Sequence, residues 1–389
     1  MFAVRGTDAY IFQIAICVMA VALLGGCSQS PILTPLQAIP THHASCWNSF
    51  TINEKTYLAV ANHATGTQAD YERAQFQDAR LRCVIYEWNG KEFRAFQDLP
   101  SERASSIRSF VIGSDTYLAV TPHWGTHVKV YKFLNGRFEE AFGIPAQCPR
   151  DVACFSIGEE TYLAVTHHYD QREQSPNICS AIHKWNGASF EKYQDLPTAG
   201  AMRWAAFTID GNRYLAVANN YDGHTHNIES TVFRWNGVRF DPIQQIPTKA
   251  ATSCESIAID GKTYLAISNN FDDSTHNIDS KIYEWNGNRF DEIQSIPTLG
   301  GVYFKSFKIK ETTYLAIANH YDSSKSSYNT LSKLYKWSGR SFLEVQSVPT
   351  HCGCFWESIV VSGNHLLVVA NAFDGSTYDI DSVVYKFQE

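Results

Sequence analysis

The stretch Tyr-Leu-Ala-Val-Ala-Asn at residues 214–219 decides the fold of this chain. Six near-copies of it occur, and the gaps between successive starts are 60, 45, 52, 50, 50 and 52 residues. The copies begin at Tyr57, Tyr117, Tyr162, Tyr264, Tyr314 and, in a worn form, Leu366. A period near fifty indicates an array of repeated units, which grows by adding neighbours and not by thickening one core. The sequence therefore predicts seven equivalent units.

Each unit begins with two predicted strands. In the unit 199–248, residues 205–210 alternate apolar and polar side chains and predict a strand A. Gly211-Asn212 then turns the chain into residues 214–219, a nearly continuous apolar run that is typical of a strand covered on both faces. Strand B is therefore predicted to lie in the core of the unit.

Two more strands complete the unit. Residues 230–235 alternate and predict a strand C, and Asn236-Gly237 is a strong hairpin signal because a tight primed turn needs positive φ. Residues 240–247 predict a strand D, in which Pro247 either ends the ladder or marks a sheet edge. Four-stranded meanders repeated in this way are the blades of a propeller.

Aromatic residues flank the C–D turn in most units. A tryptophan precedes the turn, and a phenylalanine follows five residues later: Trp88 and Phe93, Trp185 and Phe190, Trp235 and Phe240, Trp285 and Phe290, Trp337 and Phe342. Such pairs are predicted to pack across the hairpin and between blades, and not to bind a ligand.

The two ends of the repeat array complement each other. The seventh unit stops after its strand C at Phe387, and residues 36–41 carry the end of a strand D that belongs to no unit of its own. An open array would leave unpaired sheet edges. We therefore predict that residues 34–40 pair with the last blade and close an all-β, seven-bladed propeller of four-stranded antiparallel blades.

The repeat resembles a known family. The pattern of strand B, Trp-Asn-Gly and Phe-x-x-Ile-Gln-x-Ile-Pro-Thr is similar to the EAR repeat, also called EPTP or epitempin, over residues 35–389. This resemblance implies a seven-bladed propeller that binds extracellular proteins without catalysis. Neither the Gly-Gly dipeptide that marks Kelch repeats nor the Trp-Asp dipeptide of WD40 repeats recurs from unit to unit: Gly-Gly occurs once in the array, at residues 300–301, and Trp-Asp does not occur.

The first residues predict export. Arg5 precedes an apolar run at residues 11–24, which has the length of a signal peptide and is short for a membrane span. Leu24-Gly25-Gly26-Cys27 resembles the bacterial lipobox. We expect a lipoprotein-type signal peptide at 1–26, a tether at 27–33, the propeller at 34–389, and a lipid on Cys27 that anchors the chain in the bacterial cell envelope. The alternative is an ordinary signal peptide with a coincidental cysteine.

The charge of the chain argues against one class of function, nucleic-acid binding, and its cysteines raise the question of disulfides. The net charge is −7, and no basic block occurs, so the electrostatic footprint of a nucleic-acid binder is missing. Eight cysteines follow the leader, and Cys46 and Cys354 occupy matching places before their strands B. They are a candidate disulfide, with buried reduced thiols as the alternative.

The long links predict the binding face. In a four-stranded meander the B–C and D–A links lie on one side, and loops on a rigid scaffold carry function. The first unit inserts some twenty residues into its B–C link, and this insertion contains Tyr71, Arg73, Phe76, Arg80 and Arg82. Aromatic and arginine side chains are enriched in binding hot spots, so this loop is the candidate site. A tolerated surface insertion is the alternative.

Polar residues recur beside that loop. Five aspartates follow strand B at equivalent places: Asp170, Asp222, Asp272, Asp322 and Asp374. They suit loop capping, calcium binding or ligand contact, and loop capping is favoured because each unit offers few metal ligands.

Four histidines lie just after strand B: His63, His123, His168 and His320. We interpret them as polar strand ends. Strand A carries Arg108, Glu255, Lys305 and Glu357 near the channel, where they either pair or touch a small ion.

Catalysis has no linear signature here. The sequence contains no G-x-S-x-G, H-E-x-x-H, P-loop or glycine fingerprint. We therefore expect no enzyme and no cofactor, apart from a possible calcium ion, and a partner that is another envelope or extracellular protein. The alternative is an envelope enzyme that acts on a polysaccharide or an ester with a site assembled from several blades.

Overall fold

The computed structural model describes residues 32–73 and 81–388. In that part of the chain, twenty-eight β-strands form seven four-stranded antiparallel sheets. One short helix, α1 (Gln68–Arg73), lies between two strands of the first blade. The predicted all-β, seven-bladed propeller is confirmed.

The first three blades each take four consecutive strands, from A to D. Blade 1 contains β2 (Ala44–Ile52), β3 (Lys55–Asn62), β4 (Arg82–Trp88) and β5 (Phe93–Pro100). Blade 2 contains β6 (Ala104–Ile112), β7 (Asp115–Pro122), β8 (His127–Leu134) and β9 (Arg137–Pro145). Blade 3 contains β10 (Val152–Ile157), β11 (Glu160–Val165), β12 (Ser180–Trp185) and β13 (Phe190–Leu196).

The next three blades repeat the plan. Blade 4 contains β14 (Ala201–Ile209), β15 (Asn212–Asn219), β16 (Asn227–Trp235) and β17 (Phe240–Lys249). Blade 5 contains β18 (Ala251–Ile259), β19 (Lys262–Asn269), β20 (Asp279–Trp285) and β21 (Phe290–Pro297). Blade 6 contains β22 (Gly301–Ile309), β23 (Thr312–Asn319), β24 (Asn329–Trp337) and β25 (Phe342–His351).

Blade 7 is closed by the other end of the chain. It contains β26 (Gly353–Val361), β27 (Asn364–Asn371), β28 (Asp379–Phe387) and, as its outer strand, β1 (Leu33–His42). β1 pairs antiparallel with β28 from Leu33 opposite Phe387 to His42 opposite Asp379. The predicted closing strand is therefore confirmed, and it extends beyond residues 34–40 at both ends.

The core lies between neighbouring blades. The strand B side chains Leu215 and Val217 have no exposed surface, as expected for a strand covered on both faces. Trp235 and Phe240 meet edge to face across their hairpin at 5.2 Å between ring centroids, and Tyr162 of the preceding blade lies 5.9 Å from the same tryptophan. The predicted packing role of the turn aromatics is confirmed.

The C–D turns differ from the prediction in most blades. Asn236-Gly237 does not form a two-residue primed turn, because four residues separate Trp235 from Phe240. The Asn236 side chain accepts hydrogen bonds from the backbone amides of Val238 and Arg239, both at 2.9 Å, and so holds a wider loop. The two-residue turn with positive φ at both positions does occur in blade 2, at Asn135-Gly136, where φ is 49° and 83°.

A belt of glutamines joins the outer strands of adjacent blades. The Gln244 side chain donates to the backbone carbonyl of Phe290 at 2.8 Å and accepts from the backbone amide of the same residue at 2.7 Å. The same pair of bonds recurs at five other seams: Gln37 with Phe93, Gln97 with Phe138, Gln194 with Phe240, Gln294 with Phe342, and Gln346 with Leu33.

One seam lacks this bond. Between blades 2 and 3 the glutamine position holds Phe142, which instead packs on Phe190 and Trp185 at centroid distances of 6.3 and 5.8 Å. Apolar contact thus replaces the paired amide bonds at that seam. The glutamine belt supplies directional contacts between the outermost strands of the other blades.

Gln244→Ala should lower the free energy of unfolding by about 1–2 kcal/mol, because it removes two hydrogen bonds and leaves the Phe290 amide without its partner. Chemical denaturation followed by tryptophan fluorescence measures this loss. Gln245→Ala is the matched control, since Gln245 is the adjacent exposed glutamine and should change stability by no more than about 0.5 kcal/mol. Equal losses of stability in the two variants would contradict a stabilising role for the hydrogen bonds between Gln244 and Phe290.

Candidate binding face

The two sides of the ring differ in their links. We call the side with the B–C and D–A links the loop face, and the side with the A–B and C–D turns the turn face. The A–B turn of blade 4 is only Asp210-Gly211, with φ of 48° and 76°, whereas the B–C link from β15 to β16 spans residues 220–226. The longest links of the blade therefore lie on the loop face.

Aspartates cap the loops of this face. Asp222 Oδ1 accepts hydrogen bonds from the backbone amides of His224 and Thr225, both at 2.8 Å. Equivalent bonds are made by Asp170, Asp272, Asp322 and Asp374. Hydrogen bonds from Ser324 and Asn277 lower the pKa of Asp322 to about 2. The loop-capping interpretation of these residues is confirmed.

In blades 3–6 an asparagine after the B–C loop connects that loop to the next blade. Asn227 Nδ2 donates to the backbone carbonyl of Asp272 at 3.1 Å, and the same contact recurs between Asn177 and Asp222 at 2.7 Å. At the closing seam an aspartate stands at this position, and Asp379 accepts from the Gly66 backbone amide at 3.0 Å. The loops are thus held in fixed relation to one another around the ring.

Aromatic rings form an almost continuous chain on the loop face. The strongest series runs from Tyr221 through His226, Phe271, His276, Tyr321, Tyr328 and Phe373 to Tyr378, with successive centroids 4.5–5.3 Å apart. It continues through His43, His63, His123 and Trp124 to Tyr169. Most of these rings are half-buried. They present flat apolar surface and remain partly accessible, which suits partner binding.

The candidate insertion contributes to this chain. Tyr71 lies in α1, with its ring 5.4 Å from Tyr378 and 6.1 Å from His63. The Arg103 guanidinium lies 4.4 Å above the Tyr71 ring and donates to its backbone carbonyl at 3.1 Å. The structure thus places one predicted hot-spot residue at the mouth of the central channel.

Of the other residues predicted for the binding loop or for lipidation, the structure describes Arg82 fully and Arg73 only in its backbone. Arg82 is the first residue of β4, is exposed, and donates to the backbone carbonyl of Leu81 at 3.0 Å. The backbone of Arg73 ends α1, and its side chain lies outside the described part. Phe76, Arg80 and Cys27 also lie outside the described residues.

Histidines of neighbouring blades meet at the channel mouth. The rings of His63 and His123 are 4.4 Å apart, although sequence reasoning treated the histidines as separate strand ends. Burial lowers the pKa of both, and nearby His43 and Arg150 lower it further. These imidazoles are therefore neutral near pH 7. Within residues 32–73 and 81–388, no group of three or more His, Cys, Asp or Glu has the geometry of a metal site.

Inside the channel the strand A cations Arg108 and Lys305 each pair with an acid. Arg108 Nε lies 2.8 Å from Asp151 Oδ1, and Lys305 Nζ lies 2.9 Å from Glu357 Oε2. Glu255 accepts from the Ser306 hydroxyl at 2.7 Å. Of the two interpretations that the sequence left open, the structure shows pairing.

The predicted disulfide does not form. Cys46 and Cys354 are both free thiols. Cys46 Sγ lies 3.7 Å from the Ile107 carbonyl of blade 2, whereas Cys354 interacts with Cys352 and His43 at the closing seam. Similar spacing before strand B did not bring the two sulfur atoms together, because they lie against different neighbouring blades. The remaining cysteines in the described residues are also free thiols.

Sequence reasoning missed most of the aromatic chain. The tyrosines and phenylalanines stand directly before the recurrent aspartates, and a histidine or tyrosine follows the aspartate four residues later in blades 4, 5 and 7 and six residues later in blade 6. That double recurrence was visible in the sequence. Its meaning depends on which rings of adjacent units come into contact, which only the assembled ring shows.

The fold and the loop face define a repeat-built β-propeller with aromatic rings along one face. The family model for the EPTP domain matches residues 33–89, 92–134, 189–236, 239–286 and 289–338. The chain therefore belongs to the EPTP family.

Relatives with known sequences agree with this assignment. The thrombospondin-type laminin G domain and EAR repeat-containing proteins of Homo sapiens and Mus musculus are 39% and 37% identical to this chain over 207 residues. The match covers 49% of this chain and 29% of each relative, so the chain spans less than a third of their length.

A solved structure shares the fold. A Bacteroides fragilis protein with the provisional name 6-phosphogluconolactonase has a TM-score of 0.57 and 12% identity, over 82% of this chain and 87% of its own. Identity at that level shows the propeller fold alone. In the described residues, no helix has the length and apolarity needed to span a membrane.

Proposed function

We propose that this chain is a non-catalytic, exported propeller that binds a partner protein, or a glycan on one, through its loop face. Membership of the EPTP family supports this proposal. The observation that carries it is the chain of half-buried rings on the loop face, from Tyr221 through Tyr378 to Trp124. Binding hot spots are rich in such side chains, and the asparagine and aspartate bonds hold these rings in place before binding.

The proposal also assigns a location and a class of partner. The lipobox-like segment ending at Cys27 supports a lipid anchor in the bacterial cell envelope. The partner is then another envelope or extracellular protein. With a net charge of −7 and no basic block, the chain lacks the electrostatic attraction that nucleic acid requires.

The enzyme alternative gains no support from the described channel. A general acid or base must be free to reach a substrate. Asp151 is bonded to Arg108 and Ser106, and Glu357 is bonded to Lys305 and Ser49. These carboxylates stabilise the channel, and the lactonase-named structure shares only the fold.

Site-specific photo-crosslinking tests whether the loop face is the one that contacts the partner. With benzoylphenylalanine in place of Tyr321 in cells that make the full chain, we expect an adduct of discrete mass, because Tyr321 is a half-buried member of the aromatic chain. The same probe in place of Val238, which is 70% exposed on the turn face, should give none. Adducts from Val238 without any from Tyr321 would show that the faces are assigned backwards.

The captured partner then allows an affinity measurement. Tyr71→Ala should weaken binding by about 1–2 kcal/mol if Tyr71 is a hot spot. Tyr71→Phe keeps the ring and should retain affinity, and Lys91→Ala, at an exposed position on the turn face, is the distant control. Thermal melting of each variant separates lost binding from lost folding.

A further inference from the structure

Arg150 is a buried cation at the channel mouth. It lies in the D–A link between β9 and β10 and is 7% exposed. Its backbone amide donates to Thr166 Oγ1 at 3.0 Å, so the link that carries it is fixed. The backbone is therefore fixed at Arg150, and the side chain is buried there.

No carboxylate in the described residues pairs with this guanidinium. Asp151, its neighbour in sequence, is directed the other way and accepts from Arg108 Nε and the Ser106 hydroxyl, both at 2.8 Å. By contrast, the channel cations Arg108 and Lys305 each pair with an acid. Arg150 thus differs from Arg108 and Lys305, because it has no acidic partner in the described residues.

The contacts that Arg150 does make are weak. Its Nη1 lies 3.5 Å from both Ser105 Oγ and the His123 carbonyl, and its Nε has no hydrogen-bond partner in the described residues. The guanidinium carbon lies 5.5 Å from the centre of the half-buried Trp124 ring. Hydrogen-bonding capacity therefore remains unused.

The surroundings do not compensate its charge. Burial and the Arg150 charge lower the pKa of His168 to about 3, and burial lowers the pKa of Arg150 itself to about 9. At pH 7 the arginine is still a cation among neutral imidazoles. His168 Nδ1 is a second buried polar atom here without a hydrogen-bond partner in the described residues. A buried charge of this kind is stabilised when an opposite charge enters.

We propose that the cluster of Arg150, Ser105, His123, His168 and Trp124, which we call the mouth site, binds a carboxylate. A guanidinium offers parallel donors that match the two oxygens of a carboxylate. The Ser105 hydroxyl lies beside it and shares a hydrogen bond of 3.2 Å with His123 Nδ1. The inference goes beyond the proposed function and does not depend on it. The carboxylate belongs either to a small free molecule or to an acidic side chain of a bound protein.

Acetate is the probe that tests the mouth site. The chain is melted in increasing sodium acetate, with sodium chloride reduced to keep ionic strength constant. We expect the melting temperature to rise by about 2 °C when acetate is ten times its Kd, because a ligand of the folded state stabilises it by mass action. An unchanged melting temperature across the titration would overturn the proposal.

Three variants make the test specific. Arg150→Met keeps the volume and removes the charge, so it should abolish the acetate response and melt at an equal or higher temperature without acetate. Arg150→Lys should keep part of the response, and Arg213→Met, at the turn face where Arg213 lies over Phe155, should keep all of it. An equal acetate response in the wild type and in Arg150→Met would show a general ion effect and overturn the proposal.

The photo-crosslinking experiment separates the two sources of the carboxylate. If it belongs to a partner's acidic side chain, Arg150→Met should lower the adduct yield at Tyr321 by roughly tenfold, since a buried charged hydrogen bond is lost. A free small carboxylate leaves that yield unchanged. If no adduct forms in any variant, the proposed partner binding fails while the acetate result still decides the mouth site.

Discussion

A chain that lacks β1 (Leu33–His42) is expected to lose its cooperative unfolding transition. β1 provides the outer strand of blade 7, buries Leu33 and Ile39, and carries the glutamine-belt bonds to blades 1 and 6. Losing these contacts together removes stability on the order of the whole ~5–15 kcal/mol of a typical domain. Calorimetry and urea denaturation of chains that begin at residue 32 or at residue 43 measure the difference.

A peptide controls for the effect of truncation itself. Residues 32–42 supplied in trans should restore the transition, because the exposed edge of β28 is a template for the missing strand. The same peptide with Ile39→Asp should not restore it, since Ile39 is 1% exposed in the closed ring. A shortened chain that melts cooperatively at the full-length temperature would contradict closure by β1.

Glu357→Gln is expected to have the second largest effect. Glu357 is 4% exposed, lies 2.9 Å from Lys305 Nζ, and accepts from the Ser49 hydroxyl at 2.8 Å. Removing its charge leaves Lys305 in the channel without its ion-pair partner. We expect a loss of about 2–4 kcal/mol in the free energy of unfolding, somewhat below the loss from a fully buried pair, because 24% of the Lys305 side chain is exposed.

Two comparisons make this measurement specific. The double variant Lys305→Met with Glu357→Gln should recover most of the lost stability, because no lysine is left in the channel without its ion-pair partner. Glu292→Gln breaks the Lys281–Glu292 pair, which has the same 2.9 Å distance but more exposed partners, and should cost less than about 1 kcal/mol. A similar loss from Glu292→Gln would mean that burial does not set the strength of the channel pair.

The fold could be read from the sequence because its signals are local and repeated. The apolar run at residues 214–219 and the aromatic pair Trp235 and Phe240 recur in register, so each unit supports the assignment of the others. The prediction of a two-residue C–D turn was wrong in most blades, because the Asn236 side chain bonds to the loop backbone and so shapes a wider loop.

The contacts between units could be predicted only in part. The glutamine of the Phe-x-x-Ile-Gln motif was visible, but the partner of Gln244 is a backbone group 46 residues away in the next blade. The candidate disulfide between Cys46 and Cys354 was wrong because equal spacing does not fix which neighbouring blade a side chain meets. Tyr71 was found from composition alone, whereas Arg150 carries no pattern that distinguishes it from a surface arginine.

The direction of β1 determines on which face of the ring the described chain begins. Leu33 pairs with Phe387 at the turn-face end of blade 7, and the Gln388 backbone amide donates to the Ile32 carbonyl at 2.7 Å. Residues 32 and 388, the two ends of the described chain, therefore both lie at the turn face, opposite the aromatic rings. A fusion made directly at residue 32 or at residue 388 would therefore emerge on the turn face, on the side of the ring opposite the aromatic rings.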